Sequence, residues 1–102
     1  MDKNGVNFDW GLLQSFLAIA ETGSLSGAAQ KLGLSQPTLG RHVRALEDAL
    51  GVELFHRHAR GLVPTEAGHR LLPKARDIRD SAAGLAMTAA GAATNLRGTV
   101  RI

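Results

Sequence analysis

Residues 24–51 read SLSGAAQKLGLSQPTLGRHVRALEDALG, and this stretch decides the fold. The small side chains of Ala28 and Ala29 permit two helices to approach closely, and Gly33 permits the chain to turn between them. Ser35 is placed to cap the second helix, because a serine hydroxyl accepts hydrogen bonds from the free amides of a first helical turn. The pattern predicts a helix-turn-helix over about residues 25–44.

A preceding helix completes a small core. Asp9 can cap a helix that begins near Trp10, and Gly23 can end it. Its apolar residues recur at intervals of three and four, at Leu13, Phe16, Leu17 and Ala20. The helix after the turn has a matching stripe at Leu39, Val43, Leu46 and Leu50. Stripes of this period predict three helices that bury one face each.

After Gly51 the pattern changes to two short segments, 52–57 and 61–65, on either side of a basic tip. They predict a two-stranded β-hairpin, with Pro64 confining the second strand to an edge. The predicted fold is therefore mainly α: a winged helix-turn-helix of three helices plus a short β-hairpin wing over residues 8–65. An N-terminal tail over residues 1–7 precedes it.

A long linker helix is predicted over residues 66–96, with Thr65 as its cap and Glu66 at the positive end of its dipole. Its apolar residues alternate by four and three, which is the spacing of a helix–helix contact. They are Leu71, Ala75, Ile78, Ala82, Leu85, Ala89, Ala92 and Leu96. We expect them to form a dimer interface. Residues 97–102 look like a turn and the opening strand of a further domain.

Composition permits a nucleic-acid partner and excludes some chemistry. The 102 residues carry twelve Lys and Arg against nine Asp and Glu, a net charge of +3, and no cysteine. Disulfides, Cys-ligated zinc and thiol catalysis are therefore excluded, and without a visible secretory signal a cytoplasmic location is expected. Residues 81–96 lack charge, but they are fewer than the ~20 residues that cross a bilayer. An interhelical contact is favoured over a membrane span.

The side of the third helix opposite its leucines carries residues suited to the edges of DNA bases. Gln36 can pair with adenine and Arg41 with guanine, while Pro37 and the Thr38 methyl can pack on thymine methyl groups. Gly40 has no side chain and so allows a close approach to the groove wall. These five residues are the predicted base-reading set.

Phosphate contacts are predicted around that set. Arg44 lies further along the helix, and the helix starts capped by Ser24 and Ser35 present backbone amides to phosphate. On the wing, Arg57 and Arg60 can reach the flanking backbone or minor groove. Each feature alone also fits an ordinary cap or a solvated face. Their coincidence favours sequence-specific binding of double-stranded DNA.

Other functions have weaker support. His56 and His58 are two positions apart, so both rings would lie on the same face of a strand, but no cysteine or third ligand supports a metal site. For all four histidines, a neutral imidazole at the surface is favoured. No phosphate loop, carboxylate pair or nucleophile motif indicates an enzyme. The alternative from another class is a helical protein-interaction module on the same winged scaffold. A different winged-helix family, such as a molybdate-responsive regulator, is a further alternative.

The chain resembles the N-terminal domain of LysR-type transcriptional regulators. The resemblance rests on ETGSLSGAAQKL at 21–32, LSQPTLGRHV at 34–43, LEDALGVELFHR at 46–57, TEAG at 65–68 and RGTVRI at 97–102. It implies a homodimer formed through antiparallel linker helices, tetramers of the intact protein and binding to interrupted palindromes near promoters. It also implies a small-molecule inducer for an effector domain after residue 97, and no cofactor before it. The family often has serine where this chain has Gly40, so a side-chain contact there is not expected.

Overall fold

The structure, a computed structural model, describes residues 9–59 and 61–101, with the side chains of the last helix described as far as residue 93. The predicted tail over 1–7 lies outside these ranges. The elements are α1 (Trp10–Thr22), α2 (Leu25–Leu32), α3 (Gln36–Leu50), β1 (Phe55–His58), β2 (Gly61–Pro64) and α4 (Glu66–Arg101). This order confirms the predicted winged helix-turn-helix followed by a long helix.

Local signals set the bounds of the first three helices. Each begins at a side chain that accepts a hydrogen bond from a first-turn amide, and each ends at a glycine with positive φ. The capping residues are Asp9, Ser24 and Ser35, and the closing glycines are Gly23, Gly33 and Gly51. The left-handed backbone at the closing positions favours glycine because other side chains are strained there.

The core has two parts, and α1 contributes to both. One cluster joins α1 to α3 and α4 through residues such as Leu13, Leu46 and Leu72. The other joins α1 to α2 and α3 through Ile19, Ala28 and Leu39 among others. Because α1 is covered on several sides, it buries more than its predicted stripe. The additional buried residues of α1 are Ser15, Ala18 and Ile19.

The wing is fixed against the corner between α1 and α2. Strands β1 and β2 are antiparallel, and their pairing runs from Phe55 opposite Pro64 to His58 opposite Gly61. The Leu62 amide donates to the carbonyl of Gly23 at 3.2 Å. A Cβ at Gly61 would collide with that same carbonyl oxygen, so only glycine permits this approach. The docking holds the wing beside the helix-turn-helix.

The start of α4 is joined to the segment that directly precedes β1. Thr65 Oγ1 accepts from the Gly68 amide at 2.9 Å and donates to the Glu53 carbonyl at 2.6 Å. A Cβ at Gly68 would collide with the Leu54 carbonyl, so the helix begins directly against that backbone. The predicted cap at Thr65 is thus confirmed, with a second role that fixes the direction of the helix.

The first turns of α4 pack on their own protomer, which corrects part of the predicted dimer seam. Ala75 is 3% exposed and packs in the first core cluster with Leu72, at 7%. Ala75 is therefore unavailable to a partner, and its assignment to the dimer interface is wrong. Leu71 is half-buried against the same cluster. Period-seven spacing alone did not distinguish the intramolecular face from a partner-facing one.

Beyond that region the helix projects from the domain. Ile78 is 44% exposed and Leu85 71% exposed. The remaining seam residues with described side chains are also exposed: Ala82, Ala89 and Ala92. The Leu96 side chain lies outside the described part. In this structure the seam from residue 78 to residue 92 is uncovered.

The helix continues to Arg101. The prediction of a strand after residue 97 is therefore wrong for residues 98–101. A helix pairs its backbone groups internally, whereas a lone strand leaves them without partners. At 36 residues the helix is roughly 54 Å long, given about 1.5 Å per residue. Among the described residues, none of the helices combines the length and hydropathy that a bilayer crossing requires.

Candidate nucleic-acid interface

Helix α3 has one face in the core and one in solvent. Leu39 and Leu46 are fully buried and Val43 nearly so. Gln36 and Pro37 at the start of the helix are exposed. Further along the same side of the helix, Arg41 and Arg44 are exposed. The small residues Thr38 and Gly40 on that side are half-buried. The structure therefore places all six predicted α3 residues away from the leucines.

Three polar side chains at the start of α3 form a hydrogen-bond chain. Ser35 Oγ accepts from the Thr38 amide at 3.2 Å and donates to Thr38 Oγ1 at 2.9 Å. Arg41 Nη2 also donates to Thr38 Oγ1, at 3.0 Å. The bond holds the guanidinium on the outward face before any ligand arrives. Less rotamer entropy is then lost when the arginine forms a bidentate contact.

A groove separates α3 from the wing. Its volume is about 310 Å³, and Arg41 and Arg44 line one side while Arg57 lines the other. Pro37 and Gly40 contribute from the same face of the helix. A neighbouring depression lies between the start of α2 and the wing, and Ser24, Gln36 and Arg57 line it. Arg57 therefore borders both concavities, and the predicted wing residue Arg60 lies outside the described residues.

The start of α2 faces the second depression. Ser24 Oγ accepts from the Gly27 amide at 2.9 Å, so its hydroxyl is engaged as a cap. Amides in the first turn of a helix have no partner within that helix, and the dipole adds positive potential there. The anion-attracting part of this corner is thus the backbone around residues 25 and 26.

His42 was expected to be a surface group, and that expectation is wrong. Its Nδ1 lies 2.8 Å from the hydroxyl of Ser15, which is fully buried in α1. The contact fastens α3 to α1 on the side opposite the groove. Residue 42 directly precedes the buried Val43, so its place at the border of the apolar stripe was the available signal.

The wing histidines are exposed, and their ring centroids are 6.4 Å apart in an edge-on arrangement. Over the described residues, no three His, Cys, Asp or Glu side chains gather in a way that could hold a metal ion. His69 is exposed on α4.

Sequence reasoning missed an ionic junction between three helices. Glu21 of α1 accepts from Lys31 of α2 at 2.9 Å and from Arg79 of α4 at 2.8 Å. Two hydrogen bonds lower the pKa of the Glu21 carboxyl below its ordinary value, and the one from Arg79 has a larger effect than the one from Lys31. The same carboxylate raises the pKa of Arg79. Positions 21 and 79 are too far apart in sequence for any periodicity to connect them.

Comparison with known proteins places the site in context. Residues 10–69 match the family described as bacterial regulatory helix-turn-helix protein, lysR family. The small neutral protease regulatory protein of Streptomyces coelicolor is 48% identical over 73 residues, covering 72% of this chain and 23% of that protein. A probable nitrogen assimilation transcriptional activator of Synechococcus elongatus is 53% identical over 66 residues, covering 65% and 21%. The chain thus spans less than a quarter of either relative.

Solved structures share the architecture. The DNA-binding domain of CbnR in complex with DNA is 40% identical, with a TM-score of 0.78 over 84% of this chain and 99% of that one. Oxidized OxyR of Corynebacterium glutamicum is 38% identical, with a TM-score of 0.82 over 90% of this chain and 28% of that one.

Proposed function

The chain belongs to the lysR family of bacterial regulatory helix-turn-helix proteins, and from that premise we propose that it is the sequence-specific DNA-binding module of a transcriptional regulator. The observation that carries the proposal is the convergence of α3 and the wing on one groove. Arg41 and Arg44 line it from the helix and Arg57 from the wing. The similarity to a DNA-binding domain solved in complex with DNA supports the same function.

In this proposal α3 enters the major groove, which is about 12 Å wide and admits a helix. Gln36 and Arg41 read base edges, because their amide and guanidinium groups form paired hydrogen bonds with adenine and guanine. Pro37 and Thr38 offer apolar contacts to thymine methyl groups. Arg44 contacts phosphate, which fixes the register without specifying the sequence.

Two further surfaces hold the flanking backbone. The first turn of α2, after Ser24, presents amides to one phosphate. Arg57 reaches the backbone or minor groove beside the site, and we extend the same role to Arg60. In this proposal α3 and β1, which border the same groove, contact one duplex.

Dimerisation follows from the exposed part of α4. Ile78 and Leu85 are large apolar side chains in solvent, and the alanines between them would let a second helix approach closely. We propose that this part of α4 pairs with the same segment of a second copy. The two copies would then present their α3 helices to the half-sites of a palindrome.

The remaining parts of the proposal concern the whole regulator. A tetramer is the proposed state of the intact protein, acting in the cytoplasm. A small-molecule inducer would bind outside residues 1–96, with no cofactor needed for binding to DNA. Catalysis has no place in this proposal, since each site residue has a role in recognition.

Selection of bound sequences from random duplex DNA tests the function. We expect enrichment of one palindromic site, and affinity for it that falls linearly with salt on logarithmic axes. Arg41→Ala should weaken the enrichment by relaxing the base preference at the position that Arg41 contacts. Arg70→Ala is the matched control, because it removes an arginine exposed on α4 outside the groove. Failure to enrich any sequence, with retention of DNA indifferent to salt, would contradict the proposal.

A further inference from the structure

Among the side chains described for α4, those that anchor it to the winged domain lie in its first four turns. Leu72 and Ala75 pack in the core, and Arg79 one turn later contacts Glu21. From residue 80 to residue 93 every side chain of α4 is exposed. The direction of this exposed segment is therefore determined at a short anchor close to its base.

Glu21 supplies the directional part of that anchor. Its two carboxylate oxygens have different partners, Oε1 taking Lys31 and Oε2 taking Arg79. Its side chain is 25% exposed, so it is partly shielded from solvent. Apolar packing such as that of Leu72 and Ala75 has no strong directional preference. A carboxylate held between two cations on two helices limits how far α4 can tilt or roll about them.

A small tilt at this anchor becomes a large displacement further along. Fourteen residues separate Arg79 from Ala93, or roughly 21 Å at about 1.5 Å per residue. A tilt of about 10° at Arg79 would therefore move residue 93 by roughly 4 Å. One base-pair step is about 3.4 Å. The anchor thus controls distances on the scale of a single base pair.

We propose that Glu21 is a positioning residue for operator geometry: through Arg79 it sets the direction of α4, and thereby the half-site separation that a dimer accepts. The inference depends on the proposed function, since α4 must carry the dimer contact. Glu21 does not touch the duplex in this scheme. It acts by holding α4 at a fixed angle to α1 and α2 of the same protomer.

The experiment measures binding of the full chain to duplexes that carry the selected half-sites at five separations, from two base pairs shorter to two longer than the selected one. Wild type should prefer its own separation over the neighbours by at least about fivefold, a typical size for coupling between sites. Glu21→Gln removes the charge at nearly constant volume, and we expect the preference to fall toward one. Affinity for an isolated half-site should stay at the wild-type value.

Two variants separate positioning from general stability. Arg79→Gln should flatten the separation profile in the same way, because it breaks the same contact from α4. Glu66→Gln is the matched control, since it breaks an exposed pair with Arg70 on the same helix and should leave the profile unchanged. Exposed or partly exposed ion pairs contribute little to stability, so all three variants should fold. Circular dichroism and sedimentation would verify folded dimers.

Wild-type profiles in both Glu21→Gln and Arg79→Gln would overturn the inference and leave the proposed function intact. Equal flattening in Glu66→Gln would also overturn it, because any loss of charge on α4 would then suffice. If wild type bound none of the duplexes, the proposed function would be overturned, and this inference with it.

Discussion

Replacing Gly40 with alanine separates what the fold requires from what the ligand requires. Gly40 lies within α3 (Gln36–Leu50), and its φ is not among the positive values. An ideal Cβ built there meets no atom within 4 Å. Glycine inside a helix is about 0.8–1.0 kcal/mol less favourable than alanine. Gly40→Ala should therefore raise the free energy of unfolding by about 1 kcal/mol.

The same methyl group should weaken DNA binding. Gly40 lines the groove beside Pro37 and Arg41, where we propose that the duplex edge approaches the helix backbone. Adding a methylene or methyl to a close-packed contact costs about 1–3 kcal/mol. The variant should thus be more stable and bind its selected site less tightly, a combination that general destabilisation cannot produce.

Thermal unfolding by circular dichroism and fluorescence anisotropy with the selected duplex measure the two effects. For a domain of this size, about 1 kcal/mol corresponds to a rise in Tm of roughly 4–8 °C. Gly11→Ala is the matched control: it also adds a methyl group to a helix, it lies outside the groove lining, and it should leave affinity unchanged. A lowered Tm would refute the stability reasoning, and wild-type affinity in Gly40→Ala would refute the close approach.

Three further predictions concern recognition, assembly and pH. Arg41→Ala should relax base preference and lower the binding free energy on the selected site by about 1–3 kcal/mol. Arg44→Ala should weaken binding to all sequences alike and lower the slope of log affinity against log salt by about one. Equal behaviour of the two variants in gel-shift titrations would contradict the assignment. Leu85→Asp should yield monomers in sedimentation, because it places a charge in the exposed seam, and unchanged dimers would remove that role. Since the pKa of Glu21 is lowered in the fold, its stabilisation is present above its unfolded pKa and is lost as pH falls through the folded pKa. At pH 7 the free energy of unfolding in urea should therefore be up to about 1 kcal/mol higher for wild type than for Glu21→Gln. Below the folded pKa of Glu21 the two proteins should be equally stable. A difference that does not change with pH would contradict this reasoning.

The elements that sequence predicted well are those whose signals are local. Helix α3 has a cap at Ser35, an apolar stripe ending near Leu50 and a closing glycine, and each signal acts within a few residues. The outward face followed from the same stripe, because residues opposite buried leucines must face solvent. The predicted base-reading residues of α3 lie on that outward face, and their contact with bases stays a prediction.

Features that depend on tertiary packing were not predictable from the sequence. The contact of Ser15 with His42 and that of Glu21 with Arg79 join residues far apart in the chain. Along α4, a continuous heptad pattern hid the change from an intramolecular face at Ala75 to an exposed one. Spacing reports which residues share a face, but the neighbouring elements decide what covers that face.

Amide chemical-shift mapping of the chain with its selected duplex tests most directly whether the outward side of α3 meets the bases. We expect the largest shifts at residues 36–44, with smaller ones at 24–26 and at Arg57, and little change over residues 80–93. Large shifts along α4 with residues 36–44 unaffected would contradict recognition by α3.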